Sequence, residues 1–156
     1  MQPVTEAQIA ALLADSRSSP RRRAHLLLHA GHHDQVQRLL ITLQPGTYVR
    51  PHQHSQQWEM LTLNRGTLDM LAFDESGMLR ERHRLTPAAP VIQIPPGTWH
   101  GGVVVEPDTV VMEVKPGPYR VNEFAEWAPE ENAADAAALV RWLEEAETGA
   151  AWGHRP

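Results

Sequence analysis

Two histidines one residue apart, His52 and His54, are followed by Glu59, and a third histidine ends the segment Pro95-Pro96-Gly97-Thr98-Trp99-His100. On a β-strand, side chains at i and i+2 share a face, so His52 and His54 would project two imidazoles at one point. Ser55 to Gln57 reads as a short polar turn, after which a returning strand could bring the Glu59 carboxylate to the same place. Three neutral nitrogens and one anionic oxygen suit a divalent transition metal. Such a shell leaves about two open positions on an octahedral iron, manganese, nickel or cobalt ion, whereas a tetrahedral zinc would be filled by the four protein ligands. Open positions would let a substrate oxygen reach a Lewis acid able to polarise a carbonyl.

The spacing Gly46-x5-His52-x-His54-x4-Glu59-x6-Gly66 resembles the first cupin motif in full, and Pro95-x-Gly97-x2-His100 resembles the core of the second. The Asn often found four residues after that histidine is Val104 here. More closely, the chain resembles the WbuC-type cupin-fold metalloproteins, from the Arg21 to Arg38 region through PGTYVRPH, IPPGTWH and EVKPGPY to FAEWAPEE. His25-Leu26-Leu27-Leu28 departs from that pattern, where Asn-rich positions are expected before the barrel. The resemblance implies a jelly-roll barrel with a metal at its centre. Relatives in gene clusters for surface polysaccharide point towards sugar chemistry, and cupins that pair through their barrel faces suggest a homodimer.

Around the motif, Tyr48, Arg50 and His52 share a strand parity, which would let Tyr48 and Arg50 line the same cavity as the metal. An arginine there could hold a carboxylate or phosphate through two parallel hydrogen bonds. His29 resembles a position retained in the family and is the third candidate for substrate contact. It belongs to a cluster with His25, His32 and His33, whose spacing argues less well for a second metal site. Glu113 and Lys115 alternate with apolar neighbours and could face either cavity or solvent. Arg21-Arg22-Arg23 reads as a solvated loop, with anion binding as the lesser alternative. No conventional nucleophile dyad is evident.

These residues need elements to position them. The chain has 156 residues, enough for one domain with a sizeable core. Its net charge of −5 argues against non-specific nucleic-acid binding, which needs a basic stripe. There is no cysteine, so disulfides and thiolate ligands are excluded. No apolar run reaches membrane-span or signal-peptide length, and a cytoplasmic protein is the expectation. Thr5-Glu6-Ala7-Gln8 reads as a capping box opening a helix that ends near Asp15 to Ser19. Strands are expected over Val36–Leu43, Met60–Leu63, Thr67–Phe73, Met78–Leu85, Val91–Ile94, Val103–Val105 and Thr109–Val114, separated by turn signals. Asn132 should cap a second helix through about Glu147, with Phe124 and Trp127 stapling the preceding segment and Ala150 to Pro156 fraying.

The expected fold is mainly β, a single-domain cupin jelly roll with flanking N- and C-terminal helices. Residues 1–35 form a helix and lead-in segment, 36–120 the barrel, and 121–156 a C-terminal segment packed on the barrel or on a partner. The expected function is a metal-dependent enzyme, an isomerase, epimerase or oxygenase, acting on a small sugar-like or carboxylated molecule. A binding module that anchors such a ligand through the metal, and a purely structural metal site, are the alternatives.

Overall fold

The computed structural model describes Met1 and residues 3–153. Two five-stranded antiparallel sheets face each other, each sheet alternating between inward and outward side chains. The first holds β1 (Arg23–Leu27), β2 (Val36–Leu43), β9 (Thr109–Pro116), β4 (Glu59–Arg65) and β7 (Val91–Ile94), in that spatial order. The second holds β10 (Glu123–Phe124), β3 (His52–Gln53), β8 (Trp99–Val104), β5 (Leu68–Phe73) and β6 (Leu79–Leu85). The expected mainly-β jelly roll is what forms. β1 adds a strand inside the stretch read as lead-in, because Arg23 to Leu27 pairs with Leu43 to Leu39 of β2.

Strand periodicity sorts the apolar residues. Ile41, Leu43, Leu61, Leu63, Leu68, Met70 and Val111 point between the sheets and form one core cluster. Leu71 and Phe73, of opposite parity to Leu68 and Met70 on β5, pack outward against Leu139 and Leu143 of α2 (Ala136–Glu145). On the other side, Leu12 and Leu13 of α1 (Glu6–Ser18) cover Leu40 and Val110. Both helices therefore seal the outer faces of their own barrel. The capping box at α1 forms as expected: Gln8 N–H donates to Thr5 Oγ1 at 3.3 Å and Thr5 N–H donates to Gln8 Oε1 at 3.0 Å.

The C-terminal segment departs from expectation. α2 begins at Ala136 after Asp135, which makes no side-chain capping bond. Residues 131–135 are instead taken up in turns, and Glu131 is engaged by Arg21 and Arg23. Trp127 staples the segment, its ring centroid 5.2 Å from that of Phe73, while Phe124 stays exposed. The expected fraying fails at Ala150, whose carbonyl accepts from Leu79 N–H at 2.8 Å, and at Ala151, which bridges to Met78. Residues 154–156 of that stretch lie outside the described residues. Among the described residues, no helix is long and apolar enough to cross a membrane.

Candidate metal centre

Sheet register brings the histidines together. His52 on β3 pairs directly with His100 on β8, and their ring centroids lie 4.4 Å apart. His54 follows just beyond β3, where its carbonyl accepts from Gly97 N–H at 2.9 Å and ties the Pro95–Gly97 turn to the first motif. Glu59 opens β4 on the opposite sheet. One ligand atom from each of His52, His54, Glu59 and His100 lies within 4.8 Å of the others, and all four residues are buried. The structure thus assembles the four residues that the motif spacing singled out.

The hydrogen bonds of the imidazoles test whether this cluster suits an ion. His52 Nδ1 lies 2.8 Å from the Arg50 carbonyl oxygen, and His100 Nδ1 lies 2.8 Å from that of Thr98. A carbonyl only accepts, so Nδ1 carries the proton in both rings and Nε2 keeps its lone pair. Such backbone contacts are a recurring way to fix the tautomer of a metal-ligating histidine. His100 Nε2 is buried and has no hydrogen-bond partner, an arrangement costly for a polar atom unless a ligand completes it. His54 Nε2 stands 2.8 Å from Glu59 Oε2, so an ion would replace the proton shared there. The donor set fits a divalent metal held by His52, His54, Glu59 and His100.

The electrostatics agree with a set of neutral nitrogens and one anion. Burial pushes His52 down to about 3, aided by the neighbouring His100, and burial lowers His100 as well. Burial would raise Glu59, yet the His54 hydrogen bond, with His100 and Lys115 nearby, brings it down to about 2. Lys115 Nζ lies 3.8 Å from Glu59 Oε2 and 2.8 Å from Glu113 Oε1. Burial, reinforced by the Glu59 charge, raises the Glu113 carboxyl. Burial works against the Lys115 ammonium, but Glu113 and Glu59 together raise it.

The cluster opens on a cavity of ≈ 600 Å³ between the sheets. Its floor is apolar, with Leu39, Ile41, Leu61 and Met70, while Gly102, where a Cβ would approach Leu68 and Met70 at 3.5 Å, leaves room that a side chain would fill. Arg50 lines the cavity, its Nε donating to the Ala128 carbonyl at 3.1 Å. Tyr48 does not. Residues 47–51 are not strand, so the parity argument fails, and Tyr48 turns into the α2-side core with its hydroxyl donating to Pro129 O at 2.7 Å. Burial pushes that hydroxyl up to about 12. His29 is likewise absent from the cavity, its Nδ1 lying 3.0 Å from the Arg38 nitrogen and 2.9 Å from the Arg38 carbonyl oxygen. His25 lines it instead, sharing the parity of Arg23 on β1 and staying exposed to solvent. Arg21 and Arg23, read as a solvated loop, also line it and share Glu131 at 2.7 and 3.1 Å. Glu113 and Lys115 resolve to the cavity side, their parity on β9 matching that of inward-facing Val111.

The family model for a domain of unknown function, DUF6016, matches residues 4–85. The chain belongs to this family. The DUF6016 match contains His52, His54 and Glu59 and stops before His100. No curated protein matches the chain. Among solved structures, KdgF from Halomonas sp. is similar at 22 % identity and a TM-score of 0.52, covering 66 % of this chain and 85 % of that one. A sugar phosphate isomerase of the cupin superfamily from Silicibacter pomeroyi is 22 % identical, with a TM-score of 0.50 and coverage of 68 % and 64 %. An oxalate decarboxylase from Lactobacillus farciminis, solved with formate, is 16 % identical at a TM-score of 0.52, covering 65 % of this chain. The chain spans only 31 % of that protein's length. These likenesses establish the fold, a cupin.

Proposed function

We propose that this DUF6016 cupin is a metal-dependent enzyme of the WbuC type acting on a small polar molecule, sugar-like or carboxylated. One observation carries the reading: four buried donors converge, one with an orphaned nitrogen, and three of them, His52, Glu59 and His100, line a cavity with polar walls. His52, His54, Glu59 and His100 would hold iron, manganese, nickel or cobalt, and the bound ion would supply a Lewis acid. The chain's own groups do the rest. The apolar floor excludes water from the reacting end, and Arg50 and His25 present donors to the substrate. Glu113, raised by burial and bonded to Lys115, can take and return a proton, as an isomerisation or epimerisation requires. The similarity to a sugar phosphate isomerase of the same superfamily favours this class over oxygenation, and a role in surface-polysaccharide metabolism follows from the WbuC resemblance.

The deciding experiment is elemental analysis of the isolated protein beside a His52→Ala/His54→Ala variant. About one equivalent of a metal that prefers octahedral sites, lost in the variant, is expected from the donor set. Stoichiometric zinc would favour a structural site or a binding module instead. An absence of metal in the wild type even after reconstitution would overturn the proposal.

A further inference from the structure

The charges around the cavity are unevenly matched. Arg21 and Arg23 share Glu131, and Lys115 lies between Glu113 and Glu59. Arg50 has no carboxylate partner among the described residues, although its side chain is half-buried. Its Nε and Nη2 donate to the Ala128 and Ala125 carbonyls at 3.1 and 3.4 Å, and its guanidinium lies 5.0 Å from the centroid of the Phe124 ring. A guanidinium has five N–H donors, so those on the side away from the two carbonyls stay unused. That remaining edge matches the spacing of two carboxylate oxygens.

With an ion bound, the whole cavity would lean the same way. Arg21, Arg23, Arg50 and Lys115 line it against Glu59, Glu113, Glu131 and the exposed Glu130, so the lining is balanced by itself. A divalent ion on the four donors would leave the cavity at about +2, inside a protein whose net charge is −5. A neutral ligand would leave that excess and the Arg50 guanidinium uncompensated.

We infer that the ligand of this site is a carboxylated small molecule, its carboxylate taken by Arg50 while its other end reaches the His52–His54–Glu59–His100 cluster. The inference rests on the metal reading for that second contact and for the +2 excess, while the unused Arg50 edge stands without it. A phosphate would also fit this fork through two oxygens, and the titration below separates the two anions.

Calorimetric titration of the manganese-loaded and EDTA-stripped protein tests this with glycolate, L-malate, D-glucuronate, D-glucose and D-glucose 6-phosphate. At least one carboxylate is expected to bind the loaded protein tenfold or more tighter than glucose. Arg50→Gln should weaken that carboxylate about tenfold or more, as loss of a charge-assisted pair does. Its metal content should be unchanged, because His52 is held by the Arg50 backbone carbonyl, and a thermal melt checks that the variant folds. Arg50→Lys, which keeps the charge and loses the flat edge, should fall between the two. Carboxylate binding that Arg50→Gln leaves intact would overturn the inference, as would no carboxylate binding or equal binding of glucose. Tighter, Arg50-dependent binding of the phosphate ester would overturn the choice of carboxylate. Failure to retain manganese would sink the metal reading alone, since Arg50-dependent binding to the stripped protein would still support this subsite.

Discussion

Stability of the metal-stripped protein should fall steeply on mild acidification. His52 is held neutral to about pH 3 in the fold by burial and by His100, whereas an unfolded histidine titrates near 6.5. The unfolded state therefore binds the proton first, and stability present above pH 6.5 drains away as pH falls towards 3. Each pH unit in that window removes about 1.4 kcal/mol, so moving from pH 7.5 to 5.0 costs about 2 kcal/mol through His52 alone. His100, lowered chiefly by burial, pushes in the same direction. Glu59, brought down to about 2, adds its loss only below the usual carboxylate range. Urea unfolding of the EDTA-treated protein at pH 7.5, 6.0 and 5.0 reads the slope, and a His52→Gln variant should lose about 2 kcal/mol less across the series. A wild type and variant that weaken in parallel would refute the claim that the fold keeps His52 neutral.

Two further perturbations test the frame around the site. Asp69 is 1 % exposed and is bonded by Arg82 at 2.8 Å and Arg84 at 2.7 Å, while Arg82 also donates to the Leu143 and Ala146 carbonyls at the end of α2. Asp69→Ala should cost about 2 kcal/mol, chiefly by freeing Arg82 from its place against α2 while Arg84 stays largely in solvent, measured by urea unfolding. Leu139→Ala, at a side chain 0 % exposed between α2 and the second sheet, should cost about 3 kcal/mol in the same assay without changing metal content.

The metal cluster was legible because its information is local. His52 lies on a strand and His54 just past its end, one residue on, and the Pro-Gly turn before His100 marks where a strand must begin. Tyr48 shows the limit of that logic. It sits four residues before His52, but the backbone between them leaves the extended ladder, so parity no longer determines which way the side chain faces. His29 falls after β1 ends, where the ring finds the backbone of Arg38. Glu113 and Lys115 could not be assigned from β9 alone, since their facing depends on registers with β2 and β4, strands distant in the sequence. Arg21 and Arg23 resembled a solvated run because Glu131, the group that draws them to the cavity, lies over one hundred positions later.

The division of donors between the sheets bears on what the site is for. His52 and His100 belong to one sheet and Glu59 to the other, so an ion on all of them would join the two faces of the sandwich. Yet the apolar cluster of Ile41, Leu43, Leu63 and Leu68 already joins them, with buried contacts that need no metal. A site needed only for stability would be expected under packed apolar side chains. Here the donors meet at the end of a cavity of ≈ 600 Å³ edged by Arg50, His25, Glu113 and Lys115. Keeping four titratable groups buried beside open volume opposes folding, and the hydrophobic packing elsewhere in the sandwich must offset it. Such a site fits chemistry or ligand capture better than a stabilising cross-link.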